Sequence, residues 1–351
     1  MRHSLVGFVF VFALVAIAAT DPPVIDFQSV SSFFRLPPNI VIGEAAGVAT
    51  TTNRVYIFSR GNVSGSSTNP AAAQLLEFDN TGRFIREIAP GAYAWAFAHA
   101  VRVDRDGGIW ALDSGSDMVV KLDRNGQVSM VLGRRRPTNG VVQPWQPQTP
   151  LPPVDGLFRQ PADITWDAQG NIYVADGHIN SRIAKFDKDG KWVKSFGKPG
   201  TQNGEFKTPH SIVADESGNV FVGDAGNRRI QVFDTDGKYL RQFKIDVSVP
   251  PDVTPVIGPR PTAAEGEALS GTPWAMCITP PPNQVLFVAD SFPGRIYKIN
   301  PADGSVLGVL GESGRQLKQF GGIHGLACPG AREIYVAELL NWRVQRLILL
   351  Q

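Results

Sequence analysis

Two stretches of this chain are near copies of each other, and that self-similarity limits the fold more than any other feature. Gln160-Pro161-Ala162-Asp163-Ile164 leads through Asp167-Ala168-Gln169-Gly170-Asn171 to Ile172-Tyr173-Val174-Ala175-Asp176. Thr208-Pro209-His210-Ser211-Ile212 leads in the same way through Asp215-Glu216-Ser217-Gly218-Asn219 to Val220-Phe221-Val222-Gly223-Asp224. Each is followed by an N-x-R-I-x-x-F-D-x-D-G-K block, Asn180 to Lys191 and Asn227 to Lys238. Further copies start at His99, Trp274 and His324, and a weaker first copy runs from Ala45 to Ser59. The span from the first motif position to the acidic or polar residue ending the second strand is 14 residues in five copies and 16 in the one starting at Trp274, where prolines lengthen the turn. Each copy reads as four short strands joined by D-x-x-G-N and D-x-D-G turns, whose Gly and Asn tolerate positive φ. A four-stranded unit repeated at this period buries its faces only against its neighbours, so the prediction is an all-β, six-bladed β-propeller of NHL-type repeats. An open solenoid of β units is the structural alternative. The last copy ends after its third strand near Leu350, so a segment around Phe33 to Leu36, or just before it, is expected to supply the missing outer strand.

The ends divide the chain into residues 1–19, 20–39 and 40–351. The first reads as a secretory signal peptide. Arg2 precedes an apolar run from Leu5 to Ala19 that is shorter than the roughly 20 residues of a spanning helix, with small residues at its exit and Asp21 and two prolines after it. An uncleaved anchor is the competing reading. The expectations are a secreted or otherwise extracytoplasmic protein with no stable membrane span after cleavage, working as a monomer. With 36 Gly and 27 Pro and no long amphipathic helical pattern, the remainder looks all-β. The net charge is +2 with basic residues scattered apart from Arg134-Arg135-Arg136, which argues against a nucleic-acid surface. Cys277 and Cys328 take similar places in neighbouring repeats and can be either a disulfide or two buried thiols. Asn62-Val63-Ser64 is a glycosylation sequon.

Of the chain's five histidines, His99, His210 and His324 share one motif position, in copies two, four and six. Ala45, Ala162 and Trp274 fill it in the others. Alternate blades of a six-fold ring lie about 120° apart, so three imidazoles converge on the axis and leave a fourth position open, the pattern of a catalytic zinc. The plainer reading of any one histidine is a loop hydrogen bond. Strand direction brings Arg60, His178 and the two Pro-rich insertions, Arg134 to Leu157 and Asp246 to Gly271, to the same rim. Arg60 can hold a carboxylate through paired hydrogen bonds or simply face solvent. His178 can be a base, a group supporting a ligand, or a surface histidine. Arg182, Arg229, Arg295 and Arg343 recur at one position, as do Asp113, Asp176, Asp224 and Asp290, and both sets read as structural.

In the pieces Phe58-Ser59-Arg60-Gly61, Ala98-His99-Ala100, Asp176-Gly177-His178-Ile179-Asn180-Ser181-Arg182-Ile183, Phe206-Lys207-Thr208-Pro209-His210-Ser211 and Ile323-His324-Gly325, the chain resembles the peptidyl-α-hydroxyglycine α-amidating lyases, over roughly Ile40 to Leu350. The resemblance implies zinc on His99, His210 and His324, a catalytic role for Arg60, and release of glyoxylate from a peptidyl-α-hydroxyglycine to leave a peptide amide. The substrate is then a small carboxylate-bearing molecule or a peptide. The zinc would lower the pKa of the substrate hydroxyl while a base removes its proton. The chain departs from the family where a catalytic tyrosine is replaced by His178 and a second arginine by Ala225, with Arg228 nearby. Gly325 replaces an aspartate, which counts against the family's structural calcium, and the family's cysteine pairs have no counterparts. Two classes of function follow: a zinc lyase, or a non-catalytic exported propeller that binds a protein or glycan on its rim. A sugar-lactone hydrolase would want carboxylates and amides at the axis, where histidines stand.

Overall fold

A computed structural model of the chain describes residues 21–61, 73–135, 152–262 and 270–350. The signal segment, the sequon at Asn62, most of the insertion after Arg134 and part of the one after Asp246 lie outside the described residues. No described helix is long and apolar enough to cross a membrane.

Six four-stranded antiparallel sheets form the ring. Their innermost strands are Ala45–Thr50, Ala98–Val103, Asp163–Trp166, Pro209–Ala214, Ala275–Ile278 and Ile323–Gly330. Each packs against the next and the first packs against the last, so the ring is closed and the solenoid alternative fails. Burial follows depth within a blade. In the third, the second strand Ile172–Asp176 is buried along its whole length because both faces meet neighbouring blades, whereas the outermost strand Trp192–Phe196 alternates between half-buried and exposed. The seam between blades three and four holds Tyr173, Ile183, Phe206, Ile212, Val222 and Phe233, each side chain contributing about 1.5–3 kcal/mol through removal from water. The turns use the predicted chemistry. Asp167 Oδ1 accepts from the amides of Gln169 and Asn171 while Gly170 sits at φ +84°, and Asp187 with Gly190 repeats this in the next turn.

The sixth blade is completed from the other end of the chain. Phe27–Val30 pairs antiparallel with Arg343–Leu349, Phe27 opposite Leu349 and Val30 opposite Arg346. The closing strand therefore lies just upstream of Phe33 to Leu36. Those residues instead cover the seam between blades one and six, with the Phe34 ring 4.9 Å from that of Phe78. Cys277 and Cys328, on adjacent inner strands, are joined as a disulfide.

The recurrent acids anchor the loops of the histidine-bearing rim. Asp113 accepts from the amides of Ala96, Phe97, Gly115 and Ser116. Asp176 accepts from the Arg159 amide, Asn180 Nδ2 and Arg182 Nε, and Glu338 does the same for Gly321, Asn341 and Arg343. The recurring arginines are structural: Arg182 also caps the carbonyls of Val154 and Leu157, tying the end of the first insertion to this rim.

Candidate metal centre and its surroundings

Each of the three aligned histidines sits at an irregularity in its inner strand. The ladder registers shift between Ala98 and Ala100, between Pro209 and Ser211, and between Ile323 and Gly325. A residue left out of the ladder is free to turn its side chain, here toward the axis. The same irregularity in blade one falls between Ala45 and Gly47. The residue matching the histidines there is thus Ala46, one place beyond Ala45, because the first copy is a residue shorter between bulge and rim. Ala162 and Trp274 occupy the position as expected, just before their strands.

These three non-histidine positions supply the partners that aim the rings. His99 Nδ1 lies 2.7 Å from the Ala162 carbonyl, His210 Nδ1 2.7 Å from that of Trp274, and His324 Nδ1 2.7 Å from that of Ala46. A carbonyl only accepts, so each Nδ1 carries the proton and each Nε2 presents a lone pair. Around the ring, histidine and carbonyl therefore alternate, which is the backbone support that orients imidazole ligands in metal sites. The Trp274 ring stacks on His210 at a centroid distance of 4.0 Å.

One nitrogen from each of His99, His210 and His324 lies within 4.8 Å of the others. The His210 Nε2 atom is buried with no hydrogen-bond partner. Burial, followed by the charges each would place on the others, holds His99 and His324 well below the usual imidazole range, and burial lowers His210 to about 4. Three neutral, backbone-oriented imidazoles with an orphaned nitrogen at the centre fit a transition-metal ion of the zinc, copper, iron or nickel group.

Arg60 and His178, whose surface alternatives the sequence left open, are both drawn into this cluster. Arg60 is only 5 % exposed. Its Nε donates to the Ala98 carbonyl at 3.0 Å, its Nη1 pairs with Glu44 at 2.9 Å, and its guanidinium lies 3.8 Å above the Phe97 ring. Its Nη2 is buried without a partner. Burial lowers the Arg60 pKa, partly offset by Glu44, and its charge in turn lowers all four histidines. His178 Nε2 lies 2.9 Å from His99 Nε2. Arg228 instead donates to the Ser270 carbonyl at 2.6 Å.

The sequence pattern did not signal what lies beneath the histidines. Arg102, on the inner strand of blade two, donates from Nε and Nη2 to both carboxylate oxygens of Asp163 at 2.8 and 2.6 Å. It also reaches the carbonyls of Leu326 in blade six and Met276 in blade five. Asp163 in turn accepts from the Ile212 amide of blade four. This pair crosses the axis, stitches five blades together and separates the histidine cavity from a wider one on the opposite face. Burial opposes the charge of Arg102, and the Asp163 carboxylate more than offsets it.

Comparison with known proteins agrees with this architecture. The family model DUF5128, described as a 6-bladed beta-propeller, matches residues 155–256. Peptidyl-glycine alpha-amidating monooxygenase A of Xenopus laevis is 33% identical over 230 residues, covering 59% of this chain and 23% of that protein. NHL repeat-containing protein 3 of Homo sapiens is 31% identical over 200 residues, 53% of this chain and 50% of the other. The probable peptidyl-alpha-hydroxyglycine alpha-amidating lyase pgal-1 of Caenorhabditis elegans is 33% identical over 147 residues, 41% of this chain and 38% of that one. The chain thus spans half or less of each of these relatives. Among solved structures, a streptogramin B lyase superposes with a TM-score of 0.56 over 92% of this chain and 97% of its own, at 14% identity, a likeness of fold alone. The chain is a six-bladed β-propeller with relatives among the peptidylglycine α-amidating enzymes and the NHL-repeat proteins.

Proposed function

We propose that the protein is a zinc-dependent lyase that cleaves the C–N bond of a peptidyl-α-hydroxyglycine or a related small carboxylate-bearing substrate, releasing glyoxylate and leaving an amide. The observation that carries this reading is a buried arginine with one unpartnered nitrogen placed beside three imidazoles whose lone pairs converge. His99, His210 and His324 would hold the ion, which when bound supplies a Lewis acid and lowers the pKa of a nearby hydroxyl. Arg60 Nη2 engages the substrate carboxylate, while Nε and Nη1 stay fixed on the Ala98 carbonyl and Glu44. His178, once parted from His99, takes the proton of the substrate hydroxyl on Nε2 as the hydroxyl-bearing carbon forms the new carbonyl and the C–N electron pair leaves on nitrogen. That proton is then at hand for the departing amide nitrogen, so the reaction consumes no water. The protein acts as a monomer outside the cytoplasm.

The test is glyoxylate release from an N-acyl-α-hydroxyglycine by zinc-loaded protein, with the N-acylglycine lacking the hydroxyl as control. Release that chelation abolishes and zinc restores is the expected result. A stoichiometrically metal-loaded protein that yields no glyoxylate would assign the propeller to ligand binding instead.

A further inference from the structure

We infer that His178 is a fourth metal ligand, so that the substrate-free centre is closed by four imidazoles rather than left open by three. This rests on the metal reading above and adds a residue and a coordination number to it. The His178 ring centroid lies 4.9 Å from that of His99 and 5.2 Å from that of His210. The three axial histidines stand 4.6 to 5.1 Å from one another by the same measure, so His178 borders the cluster on its His99–His210 side, outside the trio whose nitrogens all lie within 4.8 Å of one another.

The nitrogens make the stronger point. His99 spends its proton on the Ala162 carbonyl, so its Nε2 is a lone pair. A second Nε2 only 2.9 Å away must bring either a proton or a share in a cation. Two nitrogens on one tetrahedral zinc, each at 2.0–2.1 Å, stand about 3.3 Å apart. The observed approach is within a few tenths of an ångström of that spacing.

His178 is also held where a ligand must be. The preceding residue, Gly177, packs so closely under blade four that a Cβ there would collide with the Pro209 carbonyl oxygen, directly before His210. Asp176 anchors the same loop through Arg159, Asn180 and Arg182. A braced loop presents a fixed donor. A centre closed in this way admits a substrate oxygen by releasing His178, which frees the nitrogen that takes the substrate proton.

The experiment titrates metal-stripped full chain with Co²⁺, reading the visible absorption bands and the affinity by competition with a chromophoric chelator. Azide then probes for an open position. Wild type is expected to bind one equivalent with a tetrahedral spectrum that azide leaves unchanged. His178→Ala, and His178→Phe, which keeps a ring in place, should still bind one equivalent but at least about 10-fold more weakly, with bands that shift on adding azide. Equal affinity and an equal azide response in wild type and both variants would overturn the fourth ligand while leaving the three-histidine site standing. Failure of wild type to bind a stoichiometric equivalent, with His99→Ala no different, would overturn the metal reading beneath it.

Discussion

The rim loops after Asp224 in blade four and after Ser59 in blade one occupy equivalent places in the ring, and beside each stands an arginine that is 5 % exposed, Arg229 at the end of the first loop and Arg60 at the start of the second. In blade four every nitrogen of the Arg229 guanidinium has a partner. Arg229 bonds Asp224, Gln242 and the carbonyls of Gln202 and Glu205, and Asp224 further accepts from Lys207, Asn227 and Gln231. In blade one the acid is replaced by Ser59, whose hydroxyl accepts the Gly61 amide, and Arg60 is left with an empty Nη2. Equal burial therefore hides opposite roles. A saturated arginine holds a loop, and an unsaturated one is reserved for something that arrives.

Acid should separate the axial cluster from the loops by the widest margin. Burial lowers the folded pKa of His210 to about 4 against 6.5 for an ordinary imidazole. The unfolded chain thus binds more protons between those values, and stability intact above that window is lost as pH falls through it, on the order of 3 kcal/mol for this group alone. His99, His178 and His324 shift in the same direction. Urea unfolding of metal-free protein across pH 4 to 7 measures the sum; a flat profile would mean the cluster is wetter than described. Next, Asp224→Ala should cost about 3–5 kcal/mol of stability by stranding Arg229, read in the same unfolding assay. Arg60→Ala should reverse the pattern, lowering kcat/KM for glyoxylate release about 100-fold with a much smaller loss of stability. If Arg60→Ala unfolds the protein as Asp224→Ala does, the contrast between the loops collapses. Smallest is Arg83→Ala, which removes an arginine 74% exposed in its ion pair with Asp79 and should change stability by less than about 0.5 kcal/mol.

The ring and its histidines were legible because repetition aligns them: once Asp176 and Asp224 are matched, His210 falls beside Ala162 and the alternation of His99, His210 and His324 follows. Ala46 was misplaced by one because the first copy is a residue shorter between its bulge and Ser59 than the histidine copies are, and counting back from Ser59 lands on Ala45. The closing strand was left between Phe33–Leu36 and the residues just before it because both segments are apolar, and only pairing with Arg343–Leu349 selects Phe27–Val30. The partners of the histidines were invisible for a deeper reason. They are backbone carbonyls of Ala46, Ala162 and Trp274, and a carbonyl has no residue type. Arg102 and Asp163, 61 positions apart, meet only because the ring brings their blades side by side.

That meeting gives the histidine chamber a floor. With the Arg102 guanidinium spanning from blade two to blades three, five and six, the hub of this wheel is a cup, not a pipe. Whatever enters from the loop-bearing rim finds no way through along the axis and leaves on the side it came from.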